Sequence, residues 1–234
     1  MKFSDELLKS INDWQKGWRE DQDKREQLSK ELVKQCASLP DKYKQLDIPC
    51  YRKRFLHKGE LIDIIMADEK HEGVVSWTTD EKYAERFKGL LKEDAVTGAI
   101  FKIKPNSEDI IVNIVSLWRD GEFVTAVEEY AKKDPENTKA LLHFKDTQSE
   151  IILKSPLRGS DIIALTGIAS PFDDLCDQAG IAEEQRDDIF RQLVENGDYV
   201  DEPRYTPPGG AQAVLKRTIM NFHQRIIDLS QTNT

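Results

Sequence analysis

An α+β fold is what this sequence predicts, on three observations. Apolar stripes at helical spacing occupy both ends of the chain. Between them lie short runs, alternating or aliphatic, that read as strands. Helical segments separate only some of those runs, so the regular strand–helix alternation of a parallel α/β sheet is missing.

Taken in order, Leu7, Leu8, Ile11, Trp14 and Trp18 recur on one helical face, with Ser4 placed to cap it and acids in the first turn. Leu28, Leu32, Val33, Cys36 and Leu39 make a second stripe that stops near Pro40. Both tryptophans read as core or interface residues. Residues 48–56 form the first strand, opened by Pro49. A short helix around Leu61, Ile62, Ile64, Ile65 and Met66 leads to a strand over 74–78 and a helix over 80–91. Further strands are expected at 97–104, 110–115, 149–153 and 161–165, with a helix at 123–132 and a loop at Asp134-Pro135-Glu136-Asn137. Beyond Ser170 strands stop, and helices at 181–195 and 211–229 flank the turn-rich stretch 205–210. The organisation is therefore 1–45 as N-terminal helices on the core, 46–170 as the central domain, and 171–234 as an acidic helical extension.

Composition is that of an ordinary polar-sided globular chain, 38% hydrophobic and 33% charged. No stretch approaches the roughly 20 apolar residues of a membrane helix, and the start lacks a secretory core. Cys36, Cys50 and Cys176 form no Cys-x-x-Cys pair, and His57, His71, His143 and His223 show no ligand spacing, so neither a disulfide framework nor a metal site is expected. These features predict a cytoplasmic protein with no membrane partner. The net charge of -9 is local. Residues 172–202 hold eleven acids against Arg186 and Arg191, which accounts for the whole excess, while 42–58 is basic. Overall charge thus says little about the active surface.

Three segments carry chemistry: Cys50-Tyr51-Arg52, then Ser76-Trp77-Thr78-Thr79-Asp80, then Gln148-Ser149-Glu150 followed by Ile151, Ile152 and Leu153. Singly, the first and last are surface charges and the middle one is an ordinary strand. In this order, on these strands, they resemble the arginine–serine–glutamate class of mono-ADP-ribosyltransferases, which includes C3-type and other bacterial toxins and bacteriophage enzymes. The resemblance covers about half the chain, from residue 48 to 165. It departs from the pattern at Trp77, where a polar residue is usual. It implies two small packed antiparallel sheets with a cleft for NAD, used as a substrate. It further implies that Glu150 stabilises the cationic ribose, that Ser76 and Thr78 hold Glu150 and its strand, and that Arg52, beside Tyr51, meets the phosphates. Arg54, on the same strand face, is a rival for that last role.

Gln148 shares the expected strand face of Glu150. In the family, Gln at this place goes with acceptors that are asparagine-type amides or nucleobases. An amide both donates and accepts, which suits such partners better than a guanidinium. Residues 139–147 would form the acceptor-recognition loop, with Phe144 as an exposed stacking aromatic. Trp77, Phe87 and Phe101 are assigned to the core. The basic 42–58 segment leans toward a nucleic-acid acceptor and the acidic extension toward a protein. An intracellular toxin held by a neutralising antitoxin protein is the setting that analogy suggests. Two other readings stay open: an NAD glycohydrolase, and a degenerate fold used as a binding module. The missing glycine fingerprint argues against a Rossmann dehydrogenase.

Overall fold

The computed structural model describes residues 3–18, 21–57, 59–67, 69–90, 92–167, 176, 179–196, 204–206 and 208–232. Lys58 and, within the acidic stretch 172–202, residues 172–175, 177–178 and 197–202 lie outside them. The chain is α+β, built on one antiparallel sheet in the order β4-β5-β2-β1-β3-β6, with a two-residue β7 added at the β6 edge. The strands are β1 Cys50–Leu56, β2 Val75–Thr78, β3 Thr97–Ile103, β4 Ile110–Asn113, β5 Glu150–Leu153, β6 Ile162–Gly167 and β7 Arg204–Tyr205.

The sheet is continuous, which corrects the expectation of two separate sheets. It is nevertheless divided. β1 runs along β3 for seven register pairs, from Cys50↔Ile103 to Leu56↔Thr97, whereas β1 meets β2 at Tyr51↔Thr78. The halves β4-β5-β2 and β1-β3-β6 are therefore hinged at that pair and splay beyond it. Both send side chains into a shared apolar cluster, with Val75, Trp77, Ile151 and Leu153 from one half and Cys50, Ala99, Phe101 and Leu165 from the other.

A second cluster lies on the opposite face of β5, where Ile152 alternates with Ile151 and Leu153. It is roofed by α1 Asp5–Lys16, α2 Gln22–Cys36, α5 Ile114–Trp118 and α6 Gly121–Lys133. α1 follows its sequence signals: Ser4 Oγ accepts from Leu7 N at 3.2 Å, Leu7, Leu8, Ile11 and Trp14 are buried, and Gly17 ends the helix at φ 77°. The remaining helices are α3 Glu60–Ala67, α4 Glu81–Arg86, α7 Lys139–Phe144, α8 Glu183–Glu195 and α9 Gly210–Thr232.

Three expectations change. The strand expected over 110–115 stops at Asn113, whose Oδ1 accepts from Ser116 N at 3.0 Å and turns the chain into α5. The helix expected over 80–91 is short: Asp80 caps it, and Lys88 and Gly89 at φ 57° and 76° end it. Strands also do not cease at Ser170, because β7 pairs with β6 through Thr166↔Tyr205. What holds β7 is remote in sequence. Tyr205 donates its hydroxyl to Glu85 O at 2.5 Å and accepts from the buried Lys53 ammonium at 2.6 Å. Lys53 also donates to the carbonyls of Glu85 and Gly89. Burial pushes the Tyr205 phenol up to about 12, so it stays a donor at neutral pH. Tyr205→Phe is expected to cost about 1–2 kcal/mol and to speed amide exchange in β7. An unchanged denaturation midpoint would show that the staple contributes nothing.

Candidate active site

The splay between β1 and β2 opens a groove of about 830 Å³, within the range of about 300–1,000 Å³ usual for small-molecule sites. Past Tyr51↔Thr78 the two backbones no longer pair, and a side chain enters the gap. Arg52 Nη1 donates to Ser76 O at 2.8 Å, and Arg52 Nη2 reaches Glu72 Oε2 at 3.1 Å. Arg54, two residues along the same face, brings Nε to 2.7 Å from Glu72 Oε1, an ion-pair approach without hydrogen-bond alignment. Arg25 of α2 donates to Glu72 O at 2.6 Å. Two guanidinium groups thus meet one largely buried carboxylate, with Arg25 on the backbone carbonyl of the same residue and Glu60 Oε1 3.4 Å from Arg54 Nη2, and Arg52 Nε is left buried without a hydrogen-bond partner. Burial works against the Arg52 charge, and Glu72 works for it. The set keeps a positive surplus on the groove wall, where anionic oxygens would be favoured.

At the other wall Glu150 opens β5 and is only 5% exposed. Its Oε1 accepts from Ser76 Oγ at 2.5 Å and its Oε2 from Gln15 Nε2 at 2.9 Å. Ser76 Oγ in turn accepts from Trp14 Nε1 at 2.9 Å. Burial pushes the Glu150 carboxyl above the ordinary glutamate range, and the donors Ser76, Gln15 and Trp14 pull the other way. Once ionised, a buried carboxylate held on both oxygens is a fixed negative charge facing a groove that a ligand can enter.

Every residue singled out from the sequence lines this groove: Tyr51, Arg52, Ser76, Thr78, Phe144, Gln148 and Glu150. Ser76 bonds Glu150 as expected, while Thr78, Gln148 and Phe144 sit differently from the expectation. Thr78 does not touch the Glu150 carboxylate. Its hydroxyl donates to Gln148 O at 2.7 Å and accepts from Asp80 N at 3.0 Å, so it holds the turn that delivers Glu150. Gln148 is not on the strand face of Glu150, because β5 begins at Glu150 and Ser149 sits at φ 48°. The period-two argument needs extended backbone, which that residue interrupts. Gln148 reaches the groove from the turn instead.

Phe144 is half-buried rather than exposed, with its ring edge-on to His143 at 4.8 Å. The stretch 139–147 is largely helical, as α7, rather than a loop. Phe87, assigned to the core, is 42% exposed and lines the groove, whereas Trp77 and Phe101 are core residues.

Four contributors were missed: Trp14, Gln15, Arg25 and Glu72. Trp14 carries the helical periodicity of a core residue, and it is one, but its indole N–H faces the site. Nothing local distinguishes Gln15, Arg25 or Glu72 from solvated polar residues. Among the described residues no group of three or more His, Cys, Asp or Glu could hold a metal ion, and no helix is long and apolar enough to cross a membrane. Comparisons of the chain with protein-family models, with curated proteins and with solved structures give no match. A functional reading therefore stands on the groove.

Proposed function

We propose that this chain is a mono-ADP-ribosyltransferase that moves ADP-ribose from NAD onto a macromolecular acceptor. The observation that carries the reading is the meeting of three residues far apart in sequence. Arg52 sits on the Ser76 carbonyl 24 positions away, and Ser76 sits on the Glu150 carboxylate 74 positions away.

In the reaction the bond between ribose C1′ and the nicotinamide ring nitrogen breaks, and its electron pair leaves with neutral nicotinamide. A lone pair on the acceptor forms the new bond to C1′, and the acceptor's proton passes to solvent. Positive charge builds on the ribose as the first bond stretches, as in glycoside cleavage. Glu150, held by Ser76 and Gln15, is placed to stabilise that charge without reorganising. Arg52 and Arg54, with Arg25 behind them, offer planar donor forks to the phosphates of the dinucleotide. Tyr51 and Thr78 line the hinge end of the groove.

Gln148 and the half-buried Phe144 ring lie along the same groove and suit an acceptor with both donors and acceptors and a flat face. That description fits a nucleobase or an asparagine-type amide. The biological setting we infer by analogy is an intracellular toxin restrained by a neutralising protein partner.

The test is incubation of the purified protein with labelled NAD and a cell extract, afterwards divided between nuclease and protease. Label is expected in macromolecules and is erased by one treatment, which identifies the acceptor class. Free ADP-ribose with no macromolecular label would replace the reading with an NAD glycohydrolase. NAD binding with no nicotinamide release would leave a binding module.

A further inference from the structure

The N-terminal helix is bonded to the groove at two points and to the segment leading into it at a third. Trp14 Nε1 donates to Ser76 Oγ, Gln15 Nε2 donates to Glu150 Oε2, and the buried Asn12 Oδ1 accepts from Ala140 N at 2.9 Å and Leu141 N at 3.2 Å. The last contact caps the start of α7, which runs into the turn before Glu150. These bonds span 62 to 135 positions of sequence, so none follows from local chain geometry. An ionised carboxylate accepts hydrogen bonds and cannot donate, which fixes the Gln15 amide with its nitrogen toward Glu150. Without Gln15, Oε2 would lose its amide donor, and the carboxylate would be held through Ser76 with Trp14 behind it.

We propose that Gln15 is a positioning residue for the transfer reaction, fixing the Glu150 carboxylate against Ser76, so that α1 is part of the catalytic unit rather than an appended helix. The inference rests on the transferase reading for its effect on rate, while its effect on Glu150 is independent of turnover. Trp14 acts one step further back: its N–H fills an acceptor position of the Ser76 hydroxyl and leaves the hydroxyl proton for Glu150. Removing the Gln15 donor deprives the ionised form of Glu150 of a hydrogen bond, and the carboxyl should then hold its proton to higher pH. The other titratable and charged groups lining the groove are Tyr83, whose phenol burial and then the Glu150 charge raise, with Arg25, Arg52, Arg54 and Glu72, and Tyr51, Lys53, His57, Lys88 and Lys92. None of these lies on α1, so replacing Gln15 leaves them in place.

The experiment compares wild type, Gln15→Leu and Trp14→Phe in the full chain, with two readouts. A carbon-detected NMR titration of the Glu150 carboxyl reads the contact directly. Nicotinamide release, as kcat, KM and their pH profile, reads the reaction. Gln15→Leu is expected to raise the Glu150 midpoint, to lower kcat about tenfold with KM for NAD within about twofold, and to move the acid limb of kcat upward. Part of the lost rate should return at higher pH, which a merely structural lesion would not show. Trp14→Phe keeps the ring and removes the N–H, so it gives a smaller shift in the same direction and serves if Gln15→Leu does not fold. An unmoved Glu150 midpoint in the folded variant, or an increase in kcat, overturns the positioning role. A raised midpoint in a protein whose wild type releases no nicotinamide would uphold the contact and sink the transferase reading instead.

Discussion

Glu150→Gln is expected to slow nicotinamide release by about 10²–10³-fold, the usual scale for removing one preorganised electrostatic group from a transition state. NAD binding should change little, because the arginines that would meet the phosphates are on the opposite wall. The effect is chemical rather than structural. Gln has the same shape, its carbonyl can still accept from Ser76, and the Gln15 amide can turn to offer its oxygen. The pH dependence separates the two possibilities. Wild-type activity should rise with pH as Glu150 loses its proton, and burial sets that limb above the ordinary glutamate range. The limb should be absent in the variant.

Stability should move the other way. A carboxyl whose folded pKa lies above its unfolded one stabilises the fold at low pH, below the unfolded value. That contribution is lost as pH rises through the folded value. Above the folded value the wild type therefore carries a buried ionised group that the variant lacks. The melting temperature of the wild type should fall relative to that of Glu150→Gln as pH rises through the folded value. Single-turnover release within about threefold of wild type would remove Glu150 from the mechanism.

Asn12→Ala carries the largest expected cost in stability, roughly 2–4 kcal/mol, from the loss of a helix cap and the stranding of buried amides. Asn12 is fully buried, and its one side-chain oxygen serves both Ala140 N and Leu141 N. Water cannot easily replace it, since Ala140 and Leu141 are buried as well. Asn12→Asp, which keeps an acceptor oxygen, should lose less than the alanine variant. A fall in the denaturation midpoint at unchanged slope is the expected reading. A loss below about 0.5 kcal/mol would show that α7 is held by its apolar contacts rather than by the cap.

How much could be read beforehand depends on how local each signal is. The N-terminal helices, β1, β2 and β3 were legible because period and capping residues lie within one element: Ser4 before Leu7 and Leu8, Pro49 before Cys50, Ala99 and Phe101 alternating. The end of β4 is hidden in the sequence because Ile114 and Val115 are good strand residues, and the Asn113 cap outweighs them. α7 reads as a loop in the sequence because its N-terminus is capped by Asn12, 128 positions earlier. β7 is invisible in the sequence because two residues carry no period, and its anchor is Lys53, 152 positions earlier.

In the candidate site, the sequence by itself determined which residue types stand where. An arginine pair falls on one strand face, a serine at an alternate position of a second strand, and a carboxylate at the mouth of a third, because extended backbone has a period of two. What only the tertiary structure decided is how those groups are held. The hinge at Tyr51↔Thr78, the gathering of Arg25, Arg52 and Arg54 on Glu72, and the Gln15 and Trp14 donors behind Glu150 are contacts between distant segments. A polar side chain can satisfy itself in water wherever it lies in a sequence. Only burial, which removes that water, obliges it to find the partner that gives it a role.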